Sequence, residues 1–253
     1  MRKEAITVAM LYHARSGQAS YGEAIGILLL DTSFAPYIPG DVANATTYSF
    51  PVRFKKVNGL TVDRIFKKDS SFLDQLVVAG KELVESGVRA ITGDCGFMAL
   101  FQREVAKQLE VPVFLSSLLQ LSFITRIIGK GKKIGIITAN AKILDRPLLR
   151  EVGLEDINSV YIKGMENKEY FRKAIIEEIG WLDSEKVKKE VVSAAEEMVR
   201  EDPKIKIILL ECSCLPPYGM AVQEAVNLPV FDFITMINYV YSAVVKKRYE
   251  GFM

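Results

Sequence analysis

The sequence predicts an α/β fold of two pseudo-symmetric subdomains, each with a mainly parallel sheet flanked by helices, and an active site in the cleft between them. Three observations carry this. Short apolar runs alternate with segments of helical periodicity along most of the chain, the pattern of a parallel sheet covered by helices. Residues 90–115 (AITGDCGFMALFQREVAKQLEVPVFL) and 207–232 (IILLECSCLPPYGMAVQEAVNLPVFD) follow one plan: an apolar strand ending in an acid and a cysteine, a helix-like segment, then an aliphatic-Pro-Val-Phe strand. The separation of Cys95 from Cys212 equals that of Pro112 from Pro229, so the two copies align without a gap, and Cys214 falls outside the register. A fainter echo pairs Ile25-Gly26-Ile27 with Ile134-Gly135-Ile136, which places a strand of the same kind at the start of each half.

In chain order, residues 1–21 read as an amino-terminal extension, 22–129 as the first α/β half and 130–253 as the second, with the C-terminal helix packing back on the first. Strands are expected at 25–30, 52–57, 88–92, 111–115, 133–138, 159–162, 205–210 and 228–231. Phe72, Leu76, Ala79 and Leu83 mark a helix face that Ser70 or Ser71 would cap and Gly87 would end. Val187, Val191, Ala194 and Met198 mark another, with Asp183 at its N-cap. Residues 31–49 hold Pro36, Pro39 and Gly40 with little periodicity and read as a long loop or irregular hairpin. Ile237, Tyr239, Val240, Tyr241 and Val244 are expected to pack the last helix against the first half, and Trp181 to anchor a turn between two helices.

Composition narrows the function classes. With 253 residues, 49% of them hydrophobic and 25% charged, the chain can bury a full core, which excludes disorder. Lys and Arg total 33 against 31 Asp and Glu, interspersed, so nucleic acid is not an expected partner. Lys130–Lys133 and Lys246–Arg248 read as a solvated loop and as favourable charge at a helix C-terminus. No apolar stretch reaches the roughly 18 residues that a membrane span needs. Arg2 and Lys3 precede an apolar run from Ala5 to Leu11, but Glu4 interrupts the charge pattern and no clean cleavage site follows, so the expected location is cytoplasmic. Three cysteines fit reduced thiols better than a disulfide framework.

In doubly wound sheets ligands sit beyond the carboxyl ends of the strands. Cys95 and Cys212 both fall there, ahead of turns into helices, where a helix N-terminus can lower a thiol from its usual value near about 8.5. A thiolate and a thiol on opposite faces of a substrate carbon form a base and an acid. A lone free cysteine is most often a small buried apolar residue; two at matching positions favour function. Strand alternation points Asp94 and Glu211 away from the thiols unless the geometry of the following loop overrides it. Cys212 and Cys214 lie close, but His13 is the only histidine, so no metal site is expected. There is no Cys-x-x-Cys, no phosphate-binding glycine-lysine loop and no Gly-x-Gly-x-x-Gly, so no redox role and no nucleotide cofactor is expected.

The motifs Asp94-Cys95-Gly96-Phe97 and Leu210-Glu211-Cys212-Ser213, with Ile25–Thr32 and Ile134–Asn140 at the starts of the halves, resemble the aspartate/glutamate racemase superfamily, which includes hydantoin racemases, maleate isomerases and arylmalonate decarboxylases. The resemblance spans roughly residues 22–240. It implies two pseudo-symmetric subdomains, no cofactor, a possible homodimer and proton transfer next to a carboxyl group by Cys95 and Cys212. Gly96, Phe97 and Ser213 would offer donors to the substrate carboxylate, with Thr138 and Asn140 extending that cradle and Asp31-Thr32 matching an Asp-Ser that assists catalysis in glutamate racemases. Preorganised donors are needed because proton removal builds enolate-like charge. Glu211 stands where the family often has Gly, and the first motif lacks the usual Asn-Thr, so a substrate other than the common amino acids is open. The expected function is a cofactor-independent racemase or isomerase acting on a small carboxylate-bearing substrate such as aspartate, glutamate or a related derivative. The alternative is a non-catalytic binding or regulatory protein on the same two-lobed fold.

Overall fold

The computed structural model describes residues 11–31 and 34–253. The charged and apolar start of the chain up to residue 10, and Thr32, lie outside the described residues. Two four-stranded parallel sheets form the molecule. The first has the order β2-β1-β3-β4, with β1 Ile25–Leu29, β2 Val52–Lys56, β3 Ala90–Gly93 and β4 Val113–Phe114. The second repeats it as β6-β5-β7-β8, with β5 Lys133–Thr138, β6 Val160–Gly164, β7 Ile205–Leu210 and β8 Val230–Phe231. Every strand read from the sequence is present, and the halves share one topology.

The internal echo has physical causes. Central strands covered on both faces become continuous apolar runs, and Ile25–Leu28, Ile134–Thr138 and Ile207–Leu210 are all buried. Gly26 and Gly135 each let a helix approach the sheet closely: a Cβ would stand 3.0 Å from Leu83 at the first and 2.9 Å from Met198 at the second. Those contacts come from α2 (Leu73–Glu85), which buries Leu76, Val77, Ala79, Gly80 and Leu83, and from α7 (Ser184–Glu201), which buries Val187, Val191, Ala194, Ala195 and Met198. Pro112 and Pro229 start the edge strands, where a missing N–H costs least, and their carbonyls accept from Ile91 and Ile208 N–H, both at 2.9 Å.

Asp183 caps α7 as expected, its carboxylate accepting from Lys186 N–H. The start of α2 differs. A 3-10 turn over Ser70–Phe72 leads in, Asp69 caps that turn through Ser71 N–H, and no side chain caps α2 itself. Gly87, at φ 97°, ends the helix. Shorter helices complete the connections: α1 Val62–Phe66, α3 Gln102–Gln108, α4 Leu121–Ile128, α5 Arg146–Glu151, α6 Glu169–Phe171 and α8 Gly219–Val226.

The last helix, α9 (Phe233–Val244), crosses back. Phe233, Met236 and Ile237 are buried in one cluster with Ile25, Ile27, Ala90 and Phe114 of the first sheet, and Tyr241 stacks on Phe50 with ring centroids 3.5 Å apart. Tyr239 instead points to solvent, 76% exposed, because it lies on the opposite face of the helix. Trp181 is also exposed, at 53%, and so does not anchor its turn by burial. No helix among the described residues is long and apolar enough to cross a membrane.

Candidate active site

The two cysteine segments are hung identically. Asp94 N–H donates to Leu28 O of β1 at 3.1 Å, and Glu211 N–H donates to Ile137 O of β5 at 2.8 Å. The next residue, the cysteine, opens a turn: Met98 N–H returns to Cys95 O at 2.9 Å, and Leu215 N–H to Cys212 O at 3.1 Å. Both thiols therefore sit at the carboxyl ends of β3 and β7, and both line one cavity between the halves. Links across the boundary fix its width. Ser117 Oγ donates to Glu211 O at 3.0 Å, and Val42 N–H, from the long loop after β1, reaches Ser213 O at 3.3 Å.

Gly96, Phe97 and Ser213 line this cavity with Cys95 and Cys212, so five of the residues singled out from sequence come together. Three others do different work. Asp31 turns away to accept from Lys56 Nζ and Gly59 N–H, both at 2.7 Å, and those bonds hold its carboxyl below the usual range. Asn140 Oδ1 accepts from Lys142 N–H at 3.0 Å and shapes the turn after β5. Thr138 is fully buried and donates to Glu211 Oε2 at 2.8 Å, so it acts on the site through that carboxyl.

The acids depart most from expectation. Strand pairing ends at Gly93 and Leu210, so alternation no longer governs the next residue, and Asp94 and Glu211 both line the cavity beside the thiols. Burial lifts Asp94 to about 8 in spite of Leu30 N–H at 3.0 Å. It lifts Glu211 to about 7, with Thr138 and Ala139 N–H pulling the other way. Glu211 Oε1 is buried with no donor among the described residues, and it presses on Gly96, where a Cβ would lie 1.9 Å away. Cys95 is accordingly not the low-pKa thiol expected at a helix start. Burial, then the charges of Glu211, Cys212 and Asp94, push it well up, outweighing Phe97 N–H, so it stays a thiol.

Sequence reasoning missed Asp41, Cys214, Tyr37, Phe66 and Glu178. Tyr37 and Phe66 line the cavity, and Glu178 reaches it from the turn after a π-helical stretch at Arg172–Ile176. Cys214, outside the repeat register, shares the cavity and makes hydrogen-bond contact with Cys212 and with the buried Asp41; the contact with Cys212, then burial, raise its thiol. Asp41 is raised to about 7 by burial. Nothing in the local pattern of residues 31–49 marks an acid that folds across to the other half. A wider, open cleft at the amino ends of β5 and β7 carries Arg126, Lys130, Lys132, Lys133 and Lys204, but that is the end of the sheet opposite the cysteines.

Raised carboxyls have a consequence for stability. The folded chain keeps a proton on Glu211 that the unfolded chain releases, between the unperturbed value of 4.5 and about 7. Stability from this group is full below that window and is lost as pH rises through it; Asp41 and Asp94 act in the same direction. The melting midpoint is expected to fall from pH 5 to pH 8, and Glu211→Gln to flatten the slope by an amount on the order of 3 kcal/mol at most. Scanning calorimetry across that range checks it; a parent profile that rises with pH contradicts the assignment of buried, protonated acids.

No family model matches the chain. Among curated proteins, a dimethylsulfoniopropionate lyase from Durusdinium sp. clade D is 33% identical over 232 residues, covering 85% of this chain and 73% of the relative. The chain belongs to the dimethylsulfoniopropionate lyase family. Two members from Emiliania huxleyi are 29% and 33% identical, and the chain spans 45% and 58% of their lengths, about half. Solved structures of the same fold include an allantoin racemase from Klebsiella pneumoniae (14% identity, TM-score 0.56, 90% of this chain and 96% of that one) and a glutamate racemase from Bacillus anthracis (14%, 0.54, 89% and 85%). Unliganded arylmalonate decarboxylase is a third (12%, 0.54, 89% and 94%). The racemase resemblance thus holds at the level of fold, while the sequence places the chain among enzymes named as lyases.

Proposed function

We propose that this chain is a lyase that eliminates dimethyl sulfide from dimethylsulfoniopropionate or a close sulfonium carboxylate. The carrying observation is the make-up of the cavity: two strand-end thiols, the carboxyls of Asp94, Glu211 and Glu178, aromatic rings, and no lysine, arginine or histidine among its lining residues. Such a lining disfavours a diacid and suits a molecule with a cationic end and one carboxylate.

The bond changes required are few. A base removes a proton from the carbon next to the carboxylate, the electrons form a carbon–carbon double bond, and the carbon–sulfur bond breaks with its electron pair leaving on sulfur. The products are dimethyl sulfide, acrylate and the proton on the base. Cys212, at the end of β7 and lining the cavity, is assigned as the base, and Cys95, which stays a thiol, as a donor toward the developing charge. The N–H groups at the start of the 3-10 helix Gly96–Phe101, which have no partner inside that helix, and the buried Ser213 hydroxyl suit the carboxylate end.

The pair of thiols also supports racemisation or isomerisation next to a carboxylate, since one could remove a proton and the other return it. Incubation with dimethylsulfoniopropionate in heavy water separates the readings. Headspace dimethyl sulfide and dissolved acrylate in equal amounts are expected. Neither product, together with deuterium appearing at the α-carbon of D- and L-amino acids, hydantoins or small diacids, favours the racemase; binding without either change favours a non-catalytic role.

A further inference from the structure

Glu178 holds an unusual position. Its backbone is left-handed at φ 50°, a conformation that strains side chains other than Gly, Asn and Asp. The strain is imposed from both sides: Glu177 N–H closes on Arg172 O at 2.9 Å, Ile179 N–H on Lys173 O at 3.2 Å, and Glu177 is paired with Arg172. The side chain then turns inward. It lines the cavity, and Oε1 is buried without a donor among the described residues. No cation among the described residues pairs with it, and burial raises the carboxyl. Independently, the fully buried Glu211 presents a second unpartnered oxygen, Oε1, to the same space. Backbone strain combined with a buried, unpartnered carboxyl oxygen is a double cost that a glycine at this position would remove.

We propose that Glu178 is the specificity-determining residue of the site: its carboxylate supplies the counter-charge for the cationic head of an onium carboxylate, an assignment that rests on the lyase reading above. A sulfonium or quaternary ammonium group has no N–H to donate. It is recognised by negative charge and aromatic faces at van der Waals distance, and Tyr37 and Phe66 supply rings in the same lining. The opposite end of the ligand belongs to the cysteine turns, so the two charges of a zwitterion are read by separate walls. The same carboxylate repels a diacid, which gives discrimination as well as attraction.

The test uses two ligands of one shape: 3-(trimethylammonio)propionate, whose amine is a far poorer leaving group than a sulfide, and 4,4-dimethylpentanoate, which has no leaving group and carries carbon in place of the cationic nitrogen. Calorimetric titration of the full chain should give at least about tenfold tighter binding of the ammonium compound, a difference of about 1.4 kcal/mol. Glu178→Asn, which suits the left-handed backbone, and Glu178→Gln should each reduce that preference to within about threefold without weakening the binding of 4,4-dimethylpentanoate. Retained preference in both variants, no preference in the parent, or an equal loss for both ligands overturns the assignment. Dimethyl sulfide release by the parent is scored separately. A charge preference that depends on Glu178 without any release removes the lyase reading and leaves the onium site standing; release with no dependence on Glu178 does the reverse.

Discussion

Cys212→Ser should lower turnover of dimethylsulfoniopropionate by about three orders of magnitude, the range lost when a positioned general base is removed. A serine hydroxyl fills the same space but does not ionise near neutral pH, so binding should survive and KM change little. Cys95→Ser should cost less, about ten- to a hundredfold, because a hydroxyl still donates where the thiol did and Cys95 is kept protonated by its surroundings. Cys214→Ser keeps a donor beside Cys212 and Asp41 and should stay within about tenfold of the parent. Steady-state rates of acrylate formation for the three variants decide the matter. A dead Cys214→Ser with an active Cys212→Ser refutes the repeat register. Equal and complete losses in Cys95→Ser and Cys212→Ser, accompanied by loss of α-deuterium exchange, point to two-base proton transfer and to the racemase reading.

The second large effect is at Gly96. A Cβ there would lie 1.9 Å from Glu211 Oε1 and 2.6 Å from Glu211 O. The side chain could swing aside only by moving a buried carboxyl that Thr138 holds, and the carbonyl is fixed by Ser117. Gly96→Ala should therefore destabilise by about 3 kcal/mol and displace Cys95 enough to abolish turnover. Adding Glu211→Gly removes the nearer clash but not the carbonyl, so the double variant should recover part of the stability. Urea denaturation of the single and double variants measures the coupling. A Gly96→Ala protein with parental stability shows that the two cysteine segments do not press together as described.

How much of this was legible in the chain depends on the range of the forces involved. Strand runs and the paired Gly26 and Gly135 follow from local sheet physics, so their positions and the repeat were readable. The acid–cysteine steps were readable as matching, but where their side chains go was not. Asp94 and Glu211 lie one residue beyond the last paired position, where the period of two stops applying. Asp31 has an obvious carboxylate and an obvious place, yet Lys56 and Gly59, brought beside it by the pairing of β1 with β2, take it out of the site. Glu178 was invisible because its role arises from a π-helical turn and a left-handed residue, and neither has a sequence period.

The return of α9 to the first sheet decides which lobe the last helix moves with. Without Phe233, Met236 and Ile237, the first half would show Ile25, Ile27, Ala90 and Phe114 to water, so α9 belongs to the core of the first half and the chain passes between the lobes twice, at residues 129–132 and again just before α9. A clamshell opening would leave that cluster intact and bend the chain at those two crossings. At the rim of the cavity Phe34 overhangs Gly180, and the segments bearing Tyr37 and Glu178 meet.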